Sequence, residues 1–198
     1  MTMLLPPPQS APAQPAVGKL DPFAAVLSYV VPGLGQIYQG RTFKGVLFFT
    51  SIYALFFYGM YLGNWSNVFL ADTTQNPPTW FGMNWPRWAG NLYNRPHYAA
   101  QFWVGAAAWP AIWHYWKDQP NVARGPIDNW ADFRSKFEAA PTENELNDLQ
   151  RSGDKHWDLG WVYTVIAGVL NVLVIYDALA GAAFGAAEPT TELKKATA

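Results

Sequence analysis

Long apolar runs alternate with polar segments along this chain. Four stretches, at residues 23–38, 46–62, 98–116 and 159–184, are almost continuously apolar, and the segments between them hold most of the charged residues. A helix needs about 20 consecutive apolar residues to cross the hydrocarbon core of a bilayer. The pattern predicts an all-α integral membrane protein with four transmembrane helices, of which the first is short and kinked.

The polar segments set the predicted boundaries. Residues 1–20 are rich in Pro and Ala without apolar periodicity, which predicts a disordered tail, and residues 187–198 form a polar tail. The predicted membrane domain covers residues 21–186. It divides into a hairpin (21–63), a Trp-rich loop (64–96), a third span (97–117), an amphipathic loop (118–156) and a fourth span (157–186).

Helix-breaking residues interrupt the first span. Asp21 and Pro22 suit the cap and the first turn of a helix. Further along, Pro32 removes a backbone donor, and Gly33 and Gly35 permit unusual dihedral angles. We therefore expect a kink or a partial unwinding between residues 32 and 36.

Small residues mark the predicted packing faces of the other spans. Gly59 and Gly63 end the second span, and a stripe of small residues recurs every four positions in the fourth, a spacing that lets backbones approach closely. That stripe is Gly160, Thr164 and Gly168. In the third span, Pro110 follows a run of small residues at 105–108 and predicts a kink.

The polar block before the fourth span predicts an amphipathic surface helix at residues 128–139. Aromatic residues recur there at helical spacing, and charged residues lie opposite them. The aromatic set is Trp130, Phe133 and Phe137, and the charged set is Asp132, Arg134, Lys136 and Glu138. A second helix is predicted to follow, because Thr142 and Glu145 have the spacing of a capping box.

The composition agrees with a chain in contact with lipid. Aromatic residues make up 17% of the chain, with 11 Trp and 10 Tyr, and charged residues make up 14%, against about 25% in soluble domains. Trp and Tyr favour the membrane boundary because their rings are apolar at one end and polar at the other. The absence of Cys excludes thiolate metal sites and cysteine nucleophiles, and a net charge of −1 argues against a nucleic-acid partner.

Four spans would place the termini and residues 63–96 on one side of the membrane, and residues 39–44 and 117–156 on the other. The second set contains eight lysines and arginines and the first set five. The positive-inside rule therefore places the second set in the cytoplasm and both termini outside it. A re-entrant first segment would change this assignment.

Asp177 and Asn171 are the polar candidates within the fourth span. A bare carboxylate is costly in hydrocarbon, so we predict that Asp177 pairs with Arg95; the alternative is that it reaches water among the lipid headgroups. Asn171 lies deeper on the same segment, where an unpaired amide is penalised. We predict that it hydrogen-bonds to another span, and contact with a ligand is the alternative.

The remaining polar candidates give no enzyme signature. Arg41 and Lys44, in the turn of the hairpin, are predicted to anchor the chain on lipid phosphates or to dock an acidic partner. The three histidines are too scattered for a metal site. Neither a phosphate-binding loop nor a Ser-His-Asp arrangement is evident. The sequence therefore predicts no catalytic residue, cofactor or metal ligand.

Two segments carry a resemblance to known domains. Residues 30–49, VVPGLGQIYQGRTFKGVLFF, resemble the two-transmembrane hairpin domain, whose pattern is an apolar run, Pro-Gly-x-Gly-x-x-Tyr, a short basic turn, Lys-Gly and a second apolar run. Residues 160–179, GWVYTVIAGVLNVLVIYDAL, are similar to the end of a bacterial domain of unknown function found mostly in planctomycetes. The resemblance implies a location in the bacterial inner membrane. It also implies signature positions at Pro32, Gly33, Gly35, Tyr38, Gly40, Lys44, Tyr163, Gly168, Asn171 and Asp177.

Three functions are compatible with these features. The first is a non-enzymatic structural or accessory subunit, whose partners are the bilayer and other subunits of a complex or copies of the chain itself. The second is a small transport or permeation component with a polar path at Asn171 and Asp177. The third, an enzyme acting on lipid, is disfavoured because no nucleophile lies beside a plausible base. A polar cavity joining Asn171 to Asp177 would favour transport, whereas tight packing would favour the accessory role.

Overall fold

Two long apolar helices organise the protein, whose computed structural model describes residues 20–70, 79–117, 127–153 and 155–184. Within these ranges the chain is mostly helical. The elements are α1 (Pro22–Val30), α2 (Leu34–Tyr38), α3 (Thr42–Leu62), β1 (Thr79–Trp80), β2 (Met83–Asn84), α4 (Arg87–Asn94), α5 (Pro96–Gln101), 3-10 turns at Phe102–Val104 and Ala106–Ala108, α6 (Trp109–Trp116), α7 (Trp130–Lys136), α8 (Glu143–Ser152) and α9 (Lys155–Phe184). The predicted tails lie outside the described residues, except for Leu20.

Helices α3 and α9 run in opposite directions against each other. A Cβ on Gly59, near the end of α3, would lie 2.7 Å from the carbonyl oxygen of Gly160, near the start of α9, so the two backbones touch there. With 21 and 30 residues, the helices are about 31 and 45 Å long. Both can therefore cross a hydrocarbon core of about 30 Å, and they are the two candidate membrane spans among the described residues.

The two ends of the α3–α9 pair contain different elements. The Asp177 end contains the start of α1, the turn at 39–44, and residues 177–181 of α9. The Glu138 end contains the end of α3, the start of α9 and residues 136–139.

The first predicted span does not cross from one end to the other. After α1 the backbone is extended at Val31 and left-handed at Gly33 (φ 84°), and α2 returns along α1. Asp21 donates its backbone N–H to the carbonyl of Leu179 (3.0 Å), and the Gln39 side chain donates to the carbonyl of Ala178 (2.7 Å). The start of α1 and the end of α2 thus both lie at the Asp177 end. The expected kink is a complete reversal.

The third predicted span also reverses. Gly105 (φ 90°, ψ −138°) separates the two 3-10 turns, and α6 returns beside α5, where the Tyr98 hydroxyl donates to the carbonyl of Ala108 (3.2 Å). The chain enters near Trp161, whose ring centroid lies 5.1 Å from that of His97, and leaves near Glu138. Pro110 causes no kink, because it lies in the first turn of α6, where its missing N–H breaks no helical bond.

The two reversals meet in the middle of the molecule. We name residues 22–38 the first half-segment and residues 96–116 the second half-segment. A Cβ on Gly105 would overlap the carbonyl oxygen of Tyr29, so the two tips are in direct backbone contact. Two long helices and two half-segments entering from opposite ends therefore replace the four transmembrane helices, the first short and kinked, that the sequence predicted.

The polar segments gather at the Glu138 end. The amphipathic helix is present as α7, which is capped by the Asn129 side chain, and its Phe133 ring packs 5.5 Å from that of Trp65. The capping box of Thr142 and Glu145 is confirmed at the start of α8. Glu138, expected on the charged face, is buried instead. The helix ends at Lys136, and the left-handed backbone of Glu138 (φ 58°) directs the chain inward.

Candidate functional site

Asp177 lies in a cluster of polar side chains from α2, α9 and the start of α3, which is preceded by Arg41 and includes Lys44. Its carboxylate accepts a hydrogen bond from Lys44 Nζ (2.6 Å), from Arg41 Nη2 (3.0 Å) and from Gln36 Nε2 (3.2 Å). About a quarter of its side chain remains exposed. The cluster therefore neutralises the carboxylate at the Asp177 end and leaves it partly uncovered by protein.

The predicted pair between Asp177 and Arg95 is wrong. Arg95 lies at the Glu138 end, with its guanidinium carbon 3.8 Å from the centre of the Phe69 ring. The reversal of the first half-segment carries Arg41 and Lys44 to the same end as Asp177. Arg41 and Lys44, predicted to anchor on lipid phosphates or to dock an acidic partner, thus both contact a carboxylate of the chain itself.

A polar seam of buried side chains continues from this cluster towards the middle of α9. Gln36 Nε2 also donates to the carbonyl of Val174 (2.8 Å), and its Oε1 accepts from Ser28 Oγ (3.0 Å). Asn171 Nδ2 donates to the carbonyls of Ser28 (3.2 Å) and Trp103 (2.7 Å). One amide therefore ties both half-segments to α9.

The seam extends through the second half-segment towards the Glu138 end. Gln101 Nε2 donates to Thr164 Oγ1 (2.7 Å), and Asn67 Nδ2 donates to the carbonyl of Gly59 (3.0 Å). All of these side chains are buried. The stripe of small residues on α9 makes room for this arrangement, since a Cβ on Gly168 would overlap the carbonyl oxygen of Ala100.

Three amide oxygens of the seam have no hydrogen-bond partner among the described residues. They are Asn67 Oδ1, Gln101 Oε1 and Asn171 Oδ1. Three cavities lined by described residues lie beside α6, and neither Asn171 nor Asp177 lines any of these three. Asn171 and Asp177 therefore use their described hydrogen bonds and ion pairs within the chain and do not face these cavities.

The remaining predicted site residues lie in the first half-segment. Pro32, Gly33 and Gly35 form the reversal of the first half-segment, where Gly35 packs on the carbonyl of Ala24. The exposed Tyr38 lies at the Asp177 end, with its ring centroid 5.2 Å from that of Phe23.

The sequence interpretation missed Ser28, Gln36, Gln101 and Glu138. The signal for Gln36 was present, because it is a large polar residue inside an apolar run.

Glu138 is an enclosed acid, with 1% of its surface exposed. Its Oε2 accepts the backbone N–H of Ala111 (2.9 Å), its own N–H donates to the carbonyl of Trp65 (2.8 Å), and its Oε1 has no described partner. Burial raises the pKa of this carboxyl well above its ordinary value, and the bond from Ala111 offsets the rise only in part. Glu138 is thus a buried acid that links the segment after α7 to α6 and to the segment after α3.

Residues 23–190 match the sequence profile of a family of unknown function, DUF6677. The chain belongs to this family. The DUF6677 match covers both half-segments, both long helices and the polar seam, so the described architecture coincides with the family region. Membership of an uncharacterised family is confirmed, while the resemblances to the hairpin domain and to planctomycete proteins stay predictions. No curated protein and no solved structure matches the chain.

The contribution of Glu138 to the stability of this DUF6677 protein is expected to fall as the pH rises above about 4.5. The folded state raises the pKa of Glu138 and keeps its proton at a pH where the unfolded chain has lost it. The Glu138 contribution is therefore largest below the unfolded pKa, falls by at most about 1.4 kcal/mol per pH unit up to the folded pKa, and is level above it. Thermal unfolding in detergent from pH 4 to pH 8 measures the slope.

The matched variant for this experiment is Glu138→Gln. The amide keeps an acceptor for the Ala111 N–H but cannot ionise, so its unfolding temperature is expected to lack the component of the pH slope that belongs to Glu138. An unchanged slope in Glu138→Gln would show that other groups cause the pH dependence.

The Asp177 cluster predicts a specific energetic coupling in the DUF6677 chain. A double-mutant cycle between Asp177→Asn and Arg41→Gln is expected to give a coupling of about 0.5–1 kcal/mol, a modest value because both groups are partly exposed. The cycle between Asp177→Asn and Arg95→Gln is the control and is expected to give none. Equal couplings in the two cycles would contradict the observed pairing. Unfolding in detergent supplies all the free energies.

Proposed function

We propose that this protein is a non-enzymatic integral membrane protein that serves as a structural or accessory subunit of a larger membrane complex. The observation that carries the membrane placement is the distribution of polar and apolar side chains, which is the reverse of that in a soluble protein. Buried positions include Ser28, Gln36 and Asn171, whereas large apolar side chains such as Leu47 and Leu173 stand more than half exposed. Water disfavours such a surface, and lipid accepts it.

The two long helices support the same placement. In their most apolar windows only 28% of the α3 residues and 33% of the α9 residues are buried inside the protein. The core helix of a soluble protein is buried on most of its surface. In this proposal α3 and α9 cross the bilayer, and the half-segments each enter to mid-depth from opposite surfaces. Their tips are non-helical backbone, which is tolerated at that depth because protein surrounds it.

The distribution of cations supports an orientation. Among the described residues, two lysines and arginines lie at the Asp177 end, and both contact Asp177. Seven lie at the Glu138 end, namely Arg87, Arg95, Lys117, Arg134, Lys136, Arg151 and Lys155. We therefore propose that the Glu138 end faces the cytoplasm of a bacterial cell, so that both termini lie outside it.

The engagement of the buried polar groups supports a structural role. Asn171, Gln101 and Gln36 hold helices together, and Asp177 is neutralised by two cations of the same chain. These contacts fix the fold and leave the apolar outer faces of α3 and α9 as the surfaces available to other membrane subunits.

Native electrophoresis of membranes from cells with ordinary expression levels tests this proposal. An accessory subunit is expected to migrate, after mild-detergent extraction, in an assembly much heavier than the 22.1 kDa chain. The chain is also expected to remain in the membrane pellet after alkaline carbonate extraction. Migration as a monomer would contradict the accessory role, and release by carbonate would contradict the membrane placement.

A transport or permeation component is the alternative, and one observation favours it. The unpartnered oxygens of Asn67, Gln101 and Asn171 are acceptors that internal water could satisfy. Flux of protons or cations through reconstituted liposomes, abolished by Asp177→Asn without loss of assembly, would favour transport over the accessory role.

A further inference from the structure

A cationic cavity opens at the Glu138 end between α6 and α7. It has a volume of about 310 Å³, and its lining residues are Trp113, His114, Lys117, Ala131, Arg134 and Ser135. No carboxylate is among these residues, and neither cation forms an ion pair with any described acid. The nearby Asp132 is engaged with the Asn129 side chain (2.9 Å). The local charge therefore favours an anion.

An apolar groove of about 530 Å³ adjoins this cavity. Its lining residues are Tyr29, Phe102, Trp109, Ile112, Trp113 and Trp116, so Trp113 borders both spaces. The four residues from α6 lie on one helical face and span about 10 Å along it. The groove therefore leads from the cations at the Glu138 end towards Tyr29, where the two half-segments meet.

We propose that the cavity and the groove form one binding site for an anionic phospholipid, with the phosphate on Lys117 and Arg134 and one acyl chain along α6. The proposal rests on the membrane placement proposed above. The order of the two spaces is the order of a lipid in a bilayer, with the headgroup at the surface and the chain directed to mid-depth.

The contacts of Trp113 add selectivity for the headgroup. Lys117 Nζ lies 4.5 Å from the centre of the Trp113 ring, so one face of the ring already holds a cation. A choline headgroup would bring a second positive charge to the same place. The site is therefore expected to select a phospholipid with net negative charge over a zwitterionic one.

Lipid retention by the full chain tests the site. The protein is reconstituted with equal amounts of phosphatidylglycerol and phosphatidylcholine of identical acyl chains, extracted gently, and its bound lipids are counted by native mass spectrometry. We expect preferential retention of phosphatidylglycerol. Lys117→Gln with Arg134→Gln is expected to reduce this preference about tenfold or more, since each cation favours an anionic lipid severalfold.

A charge-matched variant separates a built site from general surface charge. Arg151→Gln with Lys155→Gln removes two exposed cations from the same end, outside the cavity, and is expected to keep the preference. Lys117→Arg with Arg134→Lys is expected to keep it as well. Equal retention of both lipids by the natural chain, or equal loss in both glutamine variants, would overturn the proposal.

Two further measurements show whether a negative result rejects the lipid site or the membrane placement. Glycerol phosphate, which has the anion without an acyl chain, is expected to bind far more weakly than phosphatidylglycerol. Equal binding would assign the cavity to a free anion and overturn the lipid site. Flotation with liposomes reports the membrane placement separately. A chain that fails to float overturns that placement, whereas a chain that floats without lipid preference overturns the lipid site alone.

Discussion

Adding a single methyl group at Gly105 is expected to lower the free energy of unfolding by at least about 3 kcal/mol. Two costs combine at this position. The backbone of Gly105 has φ 90° and ψ −138°, a conformation that L-residues avoid, and a Cβ there would overlap the carbonyl oxygen of Tyr29. Since the Cβ would meet backbone atoms of Tyr29 and Val30, the overlap is relieved only if the tips of the two half-segments separate.

The measurement is the apparent unfolding temperature of Gly105→Ala in detergent, followed by tryptophan fluorescence. We expect a decrease of about 10 °C. Gly82→Ala is the matched control, because Gly82 also has a positive φ (74°), but nothing lies within 4 Å of its added Cβ. Its cost is backbone strain alone, about 1 kcal/mol. Similar losses in the two variants would show that the tips do not depend on close contact at Gly105.

Hydropathy identified the apolar segments but not the path of the chain through them. Residues 23–38 number only 16, and residues 98–116 contain Gln101 and His114, so both segments are weaker candidates for a crossing helix than α3 and α9. Pro32 and Gly33 correctly marked the break in the first segment. Whether such a break gives a kink or a reversal depends on tertiary contacts, such as that of Gln39 with Ala178.

The partner of Asp177 was mispredicted for the same reason. The charge of Asp177 required a cation, and the residue itself was recognisable as a lone carboxylate in an apolar run. Its partner followed from the topology assigned to the first segment. One reversal moves Arg41 and Lys44 from the opposite end of the molecule to within hydrogen-bonding distance.

Local signals were more reliable than long-range ones. The Asp21 cap of α1 and the capping box of α8 depend on residues within three positions, and the structure contains both. Glu138 shows the limit of periodicity. It continues the charged face of α7 in sequence, but the helix has ended before it, so helical spacing no longer predicts its direction.

The buried polar residues and the half-segments depend on one another. A short helix whose C-terminal end points inward, such as α1 with nine residues or α5 with six, cannot cross a bilayer and leaves carbonyl groups at its inner end. In lipid these carbonyls need donors from elsewhere in the protein. Asn171 supplies donors to one carbonyl from each half-segment, which gives an amide at mid-depth of an otherwise apolar helix a physical role.

Replacing Asn171 by Leu is therefore expected to destabilise the protein by about 2–4 kcal/mol. Leu has the branching of Asn and a larger volume but donates no hydrogen bond, so the carbonyls of Ser28 and Trp103 would be left buried without this partner. Each such loss costs about 1–3 kcal/mol. Asn147→Leu on the exposed surface of α8 is the matched control, with an expected change within about 0.5 kcal/mol.

The chain contains no cysteine, so one introduced thiol can report the opening of the half-segments. Val104 is fully buried beside their meeting point, and a Cys at this position should react slowly with a maleimide. Adding Asn171→Leu is expected to increase the labelling rate about tenfold or more, because the opened state gains population. Adding Asn147→Leu should leave the rate unchanged. Equal rates in the two backgrounds would mean that Asn171 does not hold the half-segments against α9.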